Sequence, residues 1–155
     1  MNLTLGNLSI PIKSGALIPV LLILPNVVWM LFPKVAGAKQ VSEPLFLTIL
    51  ENIGRVAILI LPFFYSLDLN RKYSTLVLIG IGLALAVYYA AWIRYFVGGR
   101  TPELLRAPFL GIPLPLAITP VVFLTLSSYL MGSWWMLAAS IFFGIAHIWV
   151  SVLAL

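Results

Sequence analysis

The sequence predicts an all-α integral membrane protein, a five-transmembrane-helix bundle forming one membrane domain over residues 1–155, with a short interfacial helix in the third loop. Three observations predict it. Hydrophobic residues make up 63% of the chain and charged residues 8%, against roughly 45–50% and about 25% in a soluble domain, so the apolar surface exceeds what a water-facing fold can cover. Residues 107–155 contain no Lys, Arg, Asp or Glu. Before that, 20 residues separate Lys13 from Lys34 and 21 separate Lys72 from Arg94, about the 20 apolar residues that a helix needs to cross a roughly 30 Å hydrocarbon core.

Each span follows from a gap between charges. Lys13 and Lys34 bound the first, at about 15–32. The stretch between Glu43 and Asp68 holds a second at about 44–66, the one span with charges at mid-depth, Glu51 and Arg55. Lys72 opens a third at about 74–97, with Arg94 near its end. The uncharged tail is long enough for two helices, and Met131-Gly132-Ser133-Trp134 is its turn. The last spans therefore fall at about 113–131 and 134–155. Between spans three and four, Gly98-Gly99 stops a helix, and Thr101-Pro102-Glu103 supplies an N-cap, a proline at the first helical position and an acid in the first turn. With Leu104, Leu105 and Phe109 following, an interfacial helix is expected at about 102–109.

Five spans put the termini on opposite faces. Face A carries Lys13, Arg71 and Lys72; face B carries Lys34, Lys39, Arg100 and Arg106, and Arg94 if its side chain reaches outward. The excess makes face B cytoplasmic by the positive-inside rule, with the N-terminus outside and the C-terminus inside. The segment before the first apolar run lacks the features of a cleavable signal, so that run is expected to remain.

Composition also removes chemistries. Without Cys there is no disulfide or thiolate, and a single His makes neither a His-rich zinc site nor a bis-His haem, so no metal and no cofactor are expected. The net charge of +5 rests on scattered loop residues with no basic run longer than Arg71-Lys72, which argues against nucleic acid as a partner. Expected partners are the lipid bilayer, a small anionic or lipid-like molecule and a second copy of the chain. Gly-x-Ser-x-Gly, His-Glu-x-x-His, paired aspartates and Gly-x-Gly-x-x-Gly do not occur.

Polar side chains inside spans locate a candidate site, because each is costly in lipid unless paired. At a rise of about 1.5 Å per residue, Asn26, Glu51, Tyr88, Arg94, Thr119 and His147 all lie roughly 5–14 Å from face B, so every span contributes one. Ser140, Gly144, His147 and Ser151 form one small and polar stripe, which turns His147 inward. Glu51 and Arg55 have the spacing and order of an intrahelical ion pair. The candidate ligand-binding set is Asn26, Glu51, Asn52, Arg55, Tyr88, Arg94 and His147, with Glu51 and His147 as candidate acid and base.

Three functions fit. A partly cationic pocket near face B would bind or transport a small anionic or amphipathic, lipid-like ligand. An intramembrane acid–base enzyme would use Glu51 and His147 on a lipid-like substrate. A structural subunit would use the same residues to tie helices together, with Arg94 reaching the interface. Pro19, Pro25, Pro62 and Pro120 interrupt the helices, and the carbonyls that they free need another partner.

Leu50-Glu51-Asn52-Ile53 resembles a Leu-Glu-Asn-Ile string on the second helix of the microsomal glutathione transferase family, small membrane enzymes that bind glutathione between subunits. That family has four spans, an asparagine three residues before the Glu and an arginine about two turns before it. Here those places hold Thr48, Pro44 and Glu43, so no role is carried over.

Overall fold

The computed structural model describes residues 2–5, 8–11, 15–32 and 44–153. Lys13, the loop charges Lys34, Lys39 and Glu43, and the last two residues of the fifth expected span lie outside them. A short antiparallel hairpin opens the chain, β1 (Asn2–Leu5) against β2 (Leu8–Pro11), an element that the sequence reading did not expect. All other regular structure among the described residues is helical: α1 (Leu17–Leu31), α2 (Leu45–Ile60), α3 (Ser74–Val97), α4 (Pro102–Arg106), α5 (Pro115–Met131) and α6 (Trp134–Leu153).

Helix boundaries follow local chemistry. Pro62 removes the amide that would continue α2, and the chain tightens into a 3-10 turn over Leu61–Phe64. Gly132, at φ 60°, ends α5 in the left-handed conformation; its amide and that of Ser133 return to the Tyr129 and Ser128 carbonyls, the paired bonds of a Schellman motif. Ser133 then caps α6 by accepting from the Met136 amide at 3.1 Å. The turn that the sequence placed at 132–133 is thus a C-cap and an N-cap in succession.

The interfacial helix is shorter than its expected range. Pro102 and Glu103 occupy its first turn as read, but the Thr101 side chain makes no capping bond, and α4 stops at Arg106. Pro108 is the reason: the residue before a proline is pushed out of the helical region, and Ala107 is extended at φ −60°, ψ 136°.

α2 and α6 run antiparallel, whereas α1 and α3 run parallel. α2 packs on α6, α6 on α5 and α5 on α3. The Gly15 amide donates to the Tyr65 carbonyl at 2.9 Å, and the Asp68 amide to the Leu130 carbonyl at 2.8 Å. These bonds gather the start of α1, the end of the 3-10 turn and the end of α5 at face A. Around an apolar core that includes Phe123, Leu124 and Met136, the outer surface is apolar too, and several polar groups lie inside. Glu51, Thr119, Ser127 and Ser140 are buried, whereas Phe46, Leu76, Ile93 and Ile145 are exposed on the outside. Three helices, Leu45–Phe64, Ser74–Val97 and Trp134–Leu153, are long and apolar enough to cross a membrane; Leu17–Leu31 and Pro115–Met131 are apolar but shorter.

α1 is held by polar bonds from α3. Pro25 has no amide to give the Leu21 carbonyl four residues earlier, and the Tyr89 hydroxyl donates to that carbonyl at 2.8 Å. Tyr88 donates to the Leu22 carbonyl at 3.1 Å and receives the Asn26 amide at 2.8 Å. Trp29 Nε1 donates to the Tyr95 hydroxyl at 3.0 Å one turn further on. One of the carbonyls freed by proline is therefore satisfied by a neighbouring helix.

Candidate functional site

A glycine contact and a ring stack build the centre of the site. On α2, Gly54 lies one turn beyond Glu51 and lets the backbone of α6 approach so closely that a Cβ there would stand 2.8 Å from Phe143 Cα. Phe143 in turn stacks its ring on His147, with centroids 4.8 Å apart and planes 15° from parallel. His147 Nδ1 then lies 2.9 Å from Glu51 Oε1, across 96 residues of sequence. The same oxygen accepts from Arg55 Nη2, so the expected i, i+4 ion pair is formed. Glu51 is buried, whereas the Arg55 side chain is half exposed and also reaches Asn52 Oδ1 at 3.2 Å. One carboxylate oxygen thus joins α2 to α6.

Gly54→Val is expected to force these helices apart and to lower stability by about 1–3 kcal/mol, the cost of overpacking a close contact. Thermal unfolding in detergent checks it. A shift no larger than that of Gly82→Ala, where a Cβ meets nothing within 4 Å, would show that the contact yields freely.

Beside this cluster, among the described residues, is a cavity of about 560 Å³ at the end of the bundle that carries α4. Leu22, Ile58, Trp92, Leu116 and Phe143 give it mainly apolar walls, with Asn26, Tyr88, Arg55 and His147 as polar points. α4 contributes Leu105 and Arg106. Pro120 and Leu116 also line it, and Pro120 has no amide with which to continue the α5 ladder to the Leu116 carbonyl.

The expected residues divide into three groups. Asn26, Arg55, Tyr88 and His147 come together around the cavity. Glu51 stands behind them and holds His147, and Asn52 is exposed beside Arg55. Arg94 does not join the Glu51 cluster. Its Nη1 donates to the Pro108 carbonyl at 2.8 Å, and its Nη2 to those of Leu104 at 3.1 Å and Ala107 at 2.8 Å, with Phe109 at 5.0 Å from the guanidinium. The physical reason is the end of α4, whose unpaired carbonyls form a negative terminus that attracts a cation. The buried hydroxyls of Thr119, Ser127 and Ser140 donate to carbonyls four residues earlier and need no ligand.

Sequence reasoning missed Arg106, Gly54 and Phe143. Arg106 lies outside every apolar span and was counted with the loop charges. Gly54 carried a usable signal, being the only glycine of α2 and one turn from its buried acid. Among the described residues no group of acids and His could hold a metal ion. Compared with known proteins, the chain matches no family model, no curated protein and no solved structure.

Proposed function

We propose that the chain crosses the bilayer five times and binds a small, anionic, amphipathic ligand in the face B cavity, as a ligand-binding or transport component. α1 and α5 are the short spans, about 22 and 26 Å at 1.5 Å per residue. A bilayer accommodates such a mismatch by local thinning. α4 would lie at the interface, and face B, with Arg94, Arg100 and Arg106 among its cations, would be cytoplasmic.

One observation carries the ligand class. Glu51 answers Arg55, but the guanidinium of Arg106, also on the cavity, makes no hydrogen bond or ion pair among the described residues. A mainly apolar cavity with one unanswered guanidinium suits a molecule with a single carboxylate, phosphate or sulfate on a hydrocarbon body.

The test is titration of dodecyl phosphate into the protein in a non-ionic detergent, followed by calorimetry. Arg106→Gln should weaken binding about tenfold or more, the equivalent of losing one charge-assisted hydrogen bond. Arg106→Lys should retain part of the affinity. Equal affinity in wild type and Arg106→Gln would refute the reading.

A further inference from the structure

The contact between His147 and Glu51 has a direction. A carboxylate that accepts from a guanidinium has no proton to give, so the proton between Glu51 Oε1 and His147 Nδ1 belongs to the ring. In the neutral imidazole the other nitrogen, Nε2, then carries a bare lone pair. One face of the ring is covered by Phe143, and the Nδ1 edge is turned to Glu51, which is not part of the cavity wall. His147 itself is part of that wall, and its Nε2 has no partner among the described residues.

We propose that Glu51 orients His147 to present Nε2 as a hydrogen-bond acceptor to the cavity, and that the ligand is an amphipathic anion bearing a hydroxyl beside its charged group. The hydroxyl donates to His147 Nε2 while the anion meets Arg106. This rests on the binding reading above and adds a second recognition point. A lone pair in a mainly apolar cavity is left costly if nothing donates to it, so a ligand that supplies the donor binds more tightly than one that does not. Single-chain glycerophosphates with a free hydroxyl belong to this class; saturated fatty acids do not. The Glu51–Arg55 pair then serves as the support that fixes the ring, and the anion is held elsewhere.

The chain has one histidine, so both halves of the proposal can be read without assignment. Nitrogen NMR on protein with isotope-labelled histidine, at a pH where the ring is neutral, should show Nδ1 protonated and Nε2 bare. Nε2 protonated and Nδ1 bare would overturn the proposal. Monododecanoyl glycerophosphate should bind about three- to tenfold more tightly than its counterpart lacking the free hydroxyl, the worth of one neutral hydrogen bond. His147→Phe, which keeps the stack on Phe143, should abolish that difference. If both probes bind equally in wild type, the hydroxyl preference is wrong while the binding reading stands. If neither probe binds, the binding reading itself falls.

Discussion

Glu51→Gln is expected to lower the unfolding free energy of the purified protein by about 2–4 kcal/mol, because two hydrogen bonds to one buried carboxylate lose their charge together. The glutamine carbonyl oxygen can accept both bonds in the same geometry but without the charge, and its own N–H groups then need partners beside His147. Arg55→Gln should cost less, since the Arg55 side chain is half exposed and borders the cavity, so that its loss leaves a smaller desolvated charge than loss of the buried Glu51. Asn52→Ala, on the exposed side of the same helix, should stay within about 0.5 kcal/mol of wild type. Thermal unfolding of the three variants in one detergent checks the order. An effect of Glu51→Gln as small as that of Asn52→Ala would mean that α2 and α6 are joined by packing alone.

Arg94→Gln should act on a different part of the molecule. Three carbonyls, those of Leu104, Ala107 and Pro108, lose a shared cationic donor, and the short α4 loses the charge that faces its C-terminal end. The expected cost is about 2–4 kcal/mol, concentrated in the 98–112 segment. Amide hydrogen exchange should rise there and remain unchanged in α5 and α6. Because α4 carries Leu105 and Arg106 to the cavity, binding of dodecyl phosphate should weaken as well. Arg94→Lys should rescue little, since an ammonium cannot reproduce the planar fork that reaches three oxygens. Unchanged exchange in 98–112 would show that Phe109 and the prolines hold the loop without the arginine.

Much of this arrangement was legible in the residues. The charge gaps placed all five apolar helices to within a few residues, and Gly132-Ser133 marked the tight turn, because a left-handed C-cap and a serine N-cap are local properties of those side chains. The i, i+4 spacing of Glu51 and Arg55 and the inward phase of His147 were also readable, since both depend on one helix at a time. Partners across helices were not. Local context even misleads for the two arginines: Arg94 lies inside an apolar span and Arg106 outside one, yet the path of residues 98–114 brings Arg94 to carbonyls and Arg106 to the cavity. Gly54 shows the same limit, for its role depends on which backbone faces it.

The attachment of α1 bears on how firmly one wall of the cavity is held. In lipid, apolar packing gives little preference for helix over acyl chain, and an interhelical hydrogen bond averages about 0.6 kcal/mol. The four bonds that join α1 to α3, through Asn26, Trp29, Tyr88, Tyr89 and Tyr95, therefore contribute on the order of 2 kcal/mol. That corresponds to a ratio of about thirty to one between attached and detached populations from the polar bonds alone. Leu22, Ile23, Asn26 and Trp29 form one wall of the cavity, and Ile18 and Leu22 add apolar packing to these bonds. The polar attachment of this wall thus rests on Asn26, Trp29 and three tyrosines of α3, at some distance from the Glu51–Arg55 pair.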